Sequence, residues 1–235
     1  MFIAAQLKVV VIIPALNEES SIGQVVHLLP RNSVSEVIVV DNGSRDNTAD
    51  VARAAGATVL RESRKGYGYA CLTGIAHTMK NDPDIIAFVD GDMSDHPEQL
   101  DEIIRPIIEG DYDLVIGSRM KGERTQGAML PQAIFGNKLA CFLIRLFWGY
   151  TFTDLGPFRA VKTGALQKMN MSDPTFGWTV EMQIKAAKLK LKCTEVPVRY
   201  RKRIGKSKVT GTISGTVNAS VKILYTIFKY LFVRV

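Results

Sequence analysis

Short apolar runs rich in β-branched residues alternate with segments of helical spacing through the first half of the chain. A continuous run of Val and Ile is typical of a strand buried on both faces, as in a parallel sheet. Strands that alternate with helices in this way predict βαβ units, in which each helix crosses over a parallel sheet. The predicted strands are 8–13, 36–40, 85–89 and 114–116, and the predicted helices are 19–29, 46–55, 69–79 and 97–108. The sequence therefore predicts an α/β fold, with a Rossmann-like, mostly parallel sheet flanked by helices.

The second half of the chain is less regular. Residues 195–198 predict an edge strand, because Pro197 has no amide hydrogen to donate to a central ladder. The other predicted elements are an amphipathic helix over 131–148, a short strand over 158–161 and a helix over 179–189.

Two apolar segments, 139–152 and 217–235, are interrupted by basic residues. Neither contains the roughly 18 uninterrupted apolar residues expected of a helix that spans a membrane. Both are interpreted as interfacial segments or as core helices.

Composition narrows the class of protein. With 46% hydrophobic and 23% charged residues, the chain is typical of a globular protein and not of a disordered one. Its formal net charge of +7 favours anionic partners, such as nucleotide phosphates or an acidic membrane surface. Cys71, Cys141 and Cys193 lack metal-ligand spacing and are expected to be free thiols in a reducing compartment. The N-terminus lacks the basic region and cleavage site of a signal peptide, so a cytoplasmic location is expected.

Polar or glycine-rich residues follow each of the four predicted strands. In parallel sheets, ligands bind at the carboxyl ends of the strands, where these loops meet. The segments concerned are 14–18, 41–44, 90–92 and 117–119. The sequence therefore predicts one ligand site that is assembled from four loops at one edge of the sheet.

The segment from Asp90 through Gly91 to Asp92 is the central chemical feature. Two carboxylates two residues apart can face one cavity, and Mg²⁺ or Mn²⁺ prefers such oxygen ligands. A capping turn before the helix that begins near Pro97 is the structural alternative. Asp41 favours the metal interpretation, because it places a third carboxylate at the same edge.

Six motifs occur in an order that resembles the family 2 inverting glycosyltransferases, in particular the branch of dolichyl-phosphate mannose and glucose synthases. They are VIIPALNE at 11–18, VVDNGSRDNT at 39–48, DGD at 90–92, GSR at 117–119, DLGPFR at 154–159, and EVP at 195–197 leading to GKSK at 205–208. The resemblance covers roughly residues 8–210. It implies the GT-A fold, with a nucleotide-sugar-binding half at 1–120 and an acceptor half at 121–210. Residues 211–235 would form an amphipathic, membrane-associated C-terminal helix.

The resemblance also implies roles for individual residues. The residues expected to bind the nucleotide sugar are Pro14, Leu16, Glu18, Asp41, Asn42, Lys65, Gly66, Asp90 and Gly91. Asp90 and Asp92 would hold the ribose or a divalent cation, Mg²⁺ or Mn²⁺, with Asp92 the stronger candidate for the cation. The departing diphosphate develops negative charge, so a cation and basic side chains would stabilise it in the transition state. Arg119, Arg203 and Lys208 are the candidates, although Lys208 could instead bind the acceptor phosphate.

The remaining candidates concern the acceptor. Asp154, Arg159 and Ser207 are expected to bind it, although Asp154 could simply form a turn before Gly156. Glu181 is a candidate catalytic base, with an orienting residue or a solvated helix charge as alternatives. A phosphate acceptor is already ionised near neutral pH and needs less help from a base than a sugar hydroxyl would.

A cluster of basic residues over 185–208 precedes the apolar C-terminal segment. A solvated basic face is one interpretation, and binding of phosphate groups at a membrane surface is the other. No recognition module for nucleic acid accompanies the cluster. The sequence thus predicts transfer of a hexose from a nucleotide sugar, of the GDP-mannose or UDP-glucose type, to a polyprenyl phosphate at the inner face of the membrane. A different lipid or soluble acceptor, a non-catalytic nucleotide-binding subunit and a homo-oligomer remain open.

Overall fold

A computed structural model describes residues 7–205 and 213–233 of the chain. The strands are β1 (Val9–Ala15), β2 (Glu36–Asp41), β3 (Thr58–Arg61), β4 (Ile85–Phe88), β5 (Leu114–Ser118), β6 (Arg159–Lys162) and β7 (Cys193–Pro197). The helices are α1 (Ile22–Leu28), α2 (Thr48–Ala54), α3 (Tyr67–Thr78), α4 (Leu100–Gly110), α5 (Pro131–Trp148), α6 (Thr163–Met169), α7 (Trp178–Lys188) and α8 (Ile213–Phe232). Short 3-10 turns at Met79–Asn81 and Pro97–Gln99 follow α3 and precede α4.

The seven strands form one sheet in the order β3-β2-β1-β4-β6-β5-β7. All neighbouring strands are parallel except β6, which runs antiparallel to both β4 and β5. Reversal of β6 brings its N-terminal end to the edge where β1, β2, β4 and β5 end. The segment before β6 therefore joins the loops of the predicted site.

Alternating residues of the strands face two separate cores. In β1, Val9, Val11 and Ile13 pack with α1, α2 and α4, whereas Val10 and Ile12 pack with α3 and the helices of the second half. Both faces are covered because residues i and i+2 of a strand point to the same side. The strands consequently read as continuous apolar runs, and the predicted α/β fold with a mostly parallel, helix-flanked sheet is confirmed.

The predicted elements match the structure with two omissions. The four predicted strands of the first half, the helix over 131–148 and the edge strand at Pro197 are all present. β3 was missed because it is a four-residue edge strand whose end residues are exposed. α6 was missed because it lies outside the regular alternation of strands and helices that identified the equally short α1 and α2. The halves 1–120 and 121–210 share one sheet, since β6 and β7 from the second half pair with β4 and β5 from the first.

Helix α8 packs against α5 and α7. Ala219, Ile227 and Tyr230 are buried in that contact, and the ring centroids of Phe147 and Phe228 lie 6.1 Å apart. Across the described ranges, none of the helices has both the length and the apolar character needed to cross a membrane.

Candidate active site

A cavity of roughly 580 Å³ lies at the carboxyl ends of the parallel strands. Loops after β1, β2, β4 and β5 line it, together with the segment before β6 and parts of α3, α5 and α8. The lining residues from the sheet side are Pro14, Ala15, Leu16, Glu18, Asn42, Lys65, Gly66, Tyr67, Asp90, Gly91, Asp92, Arg119, Leu155, Pro157 and Arg203. The four predicted loops therefore meet at one site.

Asp90 and Asp92 are neighbouring carboxylates of the cavity, which Glu18 also lines. Burial, followed by the negative charge of Asp92, raises the pKa of Asp90 to about 6. The hydroxyl of Tyr67 donates a hydrogen bond to Oδ1 of Asp90 over 3.1 Å. Asp95 is also buried next to Asp90, and its Oδ1 has no hydrogen-bond partner among the described residues. This corner of the cavity therefore concentrates negative charge that a bound cation would neutralise.

The segment 199–204 lies across the loop that carries Asp92. Arg201 donates from its amide to the carbonyl of Ser94 and from Nε to that of Met93, over 3.0 and 2.7 Å. The amide of Ile204 donates to the carbonyl of Asp92 itself, over 2.9 Å. These bonds place Arg203 at the cavity, where its Nη1 lies 2.7 Å from Oδ2 of Asp92.

Arg119 is held by Asp154 at the end of β5. Asp154 is fully buried, and it accepts hydrogen bonds from the amide, Nε and Nη2 of Arg119 at 2.7 to 2.8 Å. Burial alone would lower the pKa of Arg119, but the carboxylate of Asp154 outweighs it and raises that pKa. Glu195 in turn accepts from the amides of Thr153 and Asp154. Asp154, predicted to bind the acceptor, is thus occupied in positioning Arg119.

Asn42 organises the loop that leads into α3. Its side-chain amide donates to the carbonyls of Glu62 and Arg64, and its Oδ1 accepts from the amide of Gly66 over 2.8 Å. Asp41 is buried beside it, and its Oδ1 accepts from the amide of Ser44. Asn42 and Gly66 line the cavity, whereas Asp41 does not. These bonds fix the position of Lys65, which also lines the cavity.

The N-terminus of α3 packs without a gap against the loop 172–175. A Cβ on Gly68 would lie 2.0 Å from the carbonyl oxygen of Asp173, and one on Gly66 would lie 2.3 Å from that of Pro174. The amide of Tyr69 donates to the Pro174 carbonyl over 2.9 Å. Glycine is therefore required at both positions, and the loop determines where Tyr67 lies.

Glu181 is buried beneath the same loop and does not line the cavity. It accepts hydrogen bonds from the amides of Ser172 and Asp173 and from the hydroxyl of Tyr230, and it pairs with Lys185 over 2.8 Å. Burial raises the pKa of Glu181, but these donors outweigh burial and the pKa is lowered. Such a carboxylate orients the loop and α8, which was the second of the roles considered for it.

Arg159 is also fully buried, at the start of β6. Its guanidinium donates to the carbonyls of Leu155, Gly156 and Thr179, and burial lowers its pKa to about 10. Leu155 and Thr179 line the cavity, whereas Arg159 does not. Arg159 therefore shapes the wall of the cavity from behind.

The structure thus divides the predicted site residues into three groups. Those at the cavity are Pro14, Leu16, Glu18, Asn42, Lys65, Gly66, Asp90, Gly91, Asp92, Arg119 and Arg203. Those buried behind it are Asp41, Asp154, Arg159 and Glu181. Ser207 and Lys208 lie outside the described residues.

Several lining residues were missed by sequence reasoning. Tyr67 stands next to the predicted Gly66, so the helix start was found but its hydroxyl was not considered. The others, contributed by α5, the loop before α7 and α8, are Met129, Gln132, Ala133, Gly136, Asn137, Thr175, Phe176, Ala219, Ser220 and Ile223. The apolar and small residues among them carry little chemical signal in sequence, because they are equally typical of a core, and the polar ones, such as Gln132 and Asn137, lie outside the motifs.

Comparison with known proteins identifies the family. The model of glycosyl transferase family 2 matches residues 10–168. An uncharacterised protein of Methanocaldococcus jannaschii is 32% identical over 87% of this chain and 88% of its own. A UDP-N-acetylglucosamine–dolichyl-phosphate N-acetylglucosaminyltransferase of Methanococcus voltae is 30% identical over 80% of this chain and 83% of its own.

Solved structures show the same fold. Glucosyl-3-phosphoglycerate synthase from Mycobacterium tuberculosis, in complex with Mn²⁺, UDP and glucosyl-3-phosphoglycerate, superposes with a TM-score of 0.78. The alignment covers 98% of this chain and 82% of that protein at 22% identity. The match of the family model over more than half of the chain confirms the resemblance seen in the motifs, and the chain belongs to glycosyl transferase family 2.

Proposed function

We propose that this glycosyltransferase moves a hexose from a nucleotide sugar, of the GDP-mannose or UDP-glucose type, to a polyprenyl phosphate at the cytoplasmic face of a membrane. The observation that supports this acceptor is the composition of the cavity. Its sheet side carries Asp90, Asp92, Arg119 and Arg203, and the lining also includes the larger apolar side chains of Met129, Leu155, Phe176 and Ile223. A lipid phosphate has the matching combination of a charged group and an apolar chain.

Helices α5 and α8 also carry exposed apolar side chains. On α8 the exposed residues Val217, Val221, Tyr225, Phe228 and Phe232 follow one another at intervals of three or four, which places them in one stripe. On α5 the exposed apolar residues are Phe135, Phe142 and Leu146. Exposed apolar stripes on neighbouring helices favour an interfacial membrane contact over a solvated surface.

The related proteins support this proposal. The Methanococcus voltae relative is named for transfer to dolichyl phosphate, an acceptor of the proposed class. The superposed mycobacterial synthase was solved with Mn²⁺ and UDP, which supports a nucleotide-sugar donor and a divalent cation in this chain.

Asp90 and Asp92 are the residues that would hold Mg²⁺ or Mn²⁺. Among the described residues no group of three or more His, Cys, Asp or Glu side chains is arranged to bind a metal ion. Two carboxylates nevertheless fit, because Mg²⁺ usually keeps waters and binds substrate phosphates through its remaining positions. When bound, the cation supplies positive charge that stabilises the departing diphosphate.

Two arginine side chains of the cavity would act on the departing diphosphate. Arg119 and Arg203 present guanidinium groups to the cavity, where they would stabilise the negative charge that develops on the diphosphate. An oxygen of the acceptor phosphate bonds to the anomeric carbon as the bond from that carbon to the diphosphate breaks. The acceptor is already an anion, so no catalytic base is required, which agrees with the burial of Glu181.

The proposed reaction is tested with purified protein, Mn²⁺ or Mg²⁺, UDP-glucose and GDP-mannose, and a short polyprenyl phosphate. We expect metal-dependent transfer from one donor, and loss of at least ~100-fold in kcat for Asp92→Asn, because the diphosphate loses its stabilising charge. Asp101→Asn, an exposed position on α4, is the matched control and should retain activity. Transfer only to a soluble phosphate such as 3-phosphoglycerate would contradict the lipid acceptor.

The membrane contact is tested separately by sedimentation with vesicles that contain anionic lipid. Phe142→Ser, in the exposed stripe of α5, should weaken binding to the vesicles. Ile108→Ser is the matched control, because Ile108 is 49% exposed on α4, which packs on the opposite face of the sheet. Equal binding by both variants and the unmodified protein would contradict the proposed surface.

A further inference from the structure

Both carboxylate oxygens of Asp92 are already engaged. Oδ1 accepts a hydrogen bond from the amide of Ser94 over 2.9 Å, and Oδ2 pairs with Nη1 of Arg203 over 2.7 Å. The residue is 4% exposed, so little of it is available to other groups. A divalent cation that binds Oδ2 of Asp92 therefore competes with the guanidinium of Arg203.

Arg203 is built so that its side chain can move while its backbone stays. Neighbouring Arg201 and Ile204 are bonded to the loop 92–95 through all four of its backbone carbonyls. The side chain of Arg203 is 30% exposed and lines the cavity. Rotation about the side-chain bonds of Arg203 carries its charge away from Asp92 without breaking those backbone contacts, although it also breaks the hydrogen bond between Arg203 and Tyr200.

We infer that Arg203 is an exchangeable counter-charge of Asp92, which turns to the diphosphate of the donor when a divalent cation takes its place. The inference rests on the proposed function, since it concerns the cation and nucleotide of that site. Before the exchange, Asp92 is neutralised by Arg203. Afterwards the cation lies with Asp90 and Asp92, and Arg203 joins Arg119 in neutralising the diphosphate.

This exchange makes two predictions of opposite sign for one substitution. Arg203→Gln removes the competing charge, so Mn²⁺ alone should bind more tightly, by about tenfold. The same substitution removes a positive charge from the diphosphate site, so UDP or GDP in the presence of Mn²⁺ should bind about tenfold more weakly. A residue with a purely structural role would weaken both.

The experiment measures Mn²⁺ binding to the full chain from the electron paramagnetic resonance signal of the free ion. It is run with Mn²⁺ alone and then with UDP or GDP, and nucleotide affinity is measured by calorimetry at saturating Mn²⁺. Arg199→Gln is the matched control, because Arg199 lies on the same segment but pairs with the exposed Glu98 over 3.4 Å. Arg203→Lys retains the charge and should lie closer to the unmodified protein than Arg203→Gln does.

Tighter binding of Mn²⁺ alone together with weaker binding of nucleotide by Arg203→Gln would support the exchange. Unchanged or weaker binding of Mn²⁺ alone, in a variant whose thermal midpoint matches that of Arg199→Gln, would overturn it. These results leave the proposed function in place as long as the unmodified protein binds Mn²⁺ with nucleotide. Failure of the unmodified protein to retain Mn²⁺ with either nucleotide would overturn both.

Discussion

Replacement of Asp154 by Asn tests whether this residue acts by holding Arg119. Asp154 is fully buried, and the side chain of Arg119 is 13% exposed, so both charges have been removed from water. Asn keeps the shape but removes the negative charge and places an NH2 group towards the guanidinium. Arg119 would then be a buried charge with no counter-charge, which costs about 3–5 kcal/mol of the free energy of unfolding.

Two further variants separate this effect from general damage to the fold. Asp50→Asn breaks a pair with Arg53 in which the side chains are 79% and 58% exposed, and it should cost at most about 1 kcal/mol. The double variant Asp154→Asn with Arg119→Gln removes the unpaired charge as well. It should therefore be more stable than Asp154→Asn alone, which would not follow if Asn simply failed to fit.

The assay is urea unfolding of each variant, with the slope of the transition compared to confirm that the same surface is exposed. Loss of activity in Asp154→Asn, at temperatures where this variant is folded, would also show that Arg119 depends on this carboxylate for its position. A cost below about 1 kcal/mol, equal to that of Asp50→Asn, would refute the argument that Asp154 is a required counter-charge.

The remaining predictions concern the surroundings of the cavity. Gly68→Ala should destabilise the fold in urea unfolding, because the added Cβ would lie 2.0 Å from a backbone carbonyl oxygen. Gly164 is also the second residue of its helix but has open space around it, so Gly164→Ala should stabilise the fold by about 0.5–1 kcal/mol. Tyr230→Phe removes the hydroxyl that donates to the buried carboxylate of Glu181 and should cost about 1–2 kcal/mol in the same assay; no loss would show that this hydrogen bond does not stabilise the position of α8. Hydrogen bonds, chiefly from the guanidinium of Arg64, lower the pKa of Glu62 from 4.5 to about 2. The contribution of Glu62 to the stability of the fold is therefore present above pH 4.5 and is lost as the pH falls through 2. Glu62→Gln should therefore reduce the loss of stability measured between about pH 5 and about pH 3, and an unchanged loss would contradict this assignment.

The sheet and the position of the site could be predicted from sequence because both depend on strong local signals. Runs such as 8–13 and 36–40 identify strands buried on both faces, and the polar residues after them identify the edge where ligand binds. The reversal of β6 could not be predicted, because the residues of a strand do not indicate its direction. That direction depends on which neighbours it pairs with, here β4 and β5.

The role of each predicted residue was harder to infer from sequence than its presence in or near the site. Asp154 and Arg159 were selected as charged residues in a family motif and Glu181 as a possible base, yet all three are fully buried and bonded to protein groups. Sequence gives the charge of a residue but not whether that charge faces a cavity or a backbone carbonyl. Asn42 is a similar case, since all its side-chain hydrogen bonds in the described contacts go to the backbone of 62–66.

The apolar surface and the donor site are joined through one loop. Helix α8 is tied to the loop 172–175 by Lys222, which lies 2.8 Å from Asp173, and by Tyr230, whose hydroxyl meets the same Glu181 that orients the loop. The loop in turn packs against the start of α3, where Tyr67 donates to Asp90. A displacement of α8 at a membrane surface would therefore alter contacts that lead through the loop 172–175 and Tyr67 to Asp90. This connection gives a physical reason for a buried carboxylate at Glu181. The carboxylate accepts hydrogen bonds both from the loop 172–175 and from Tyr230 of α8, so it holds these two elements together.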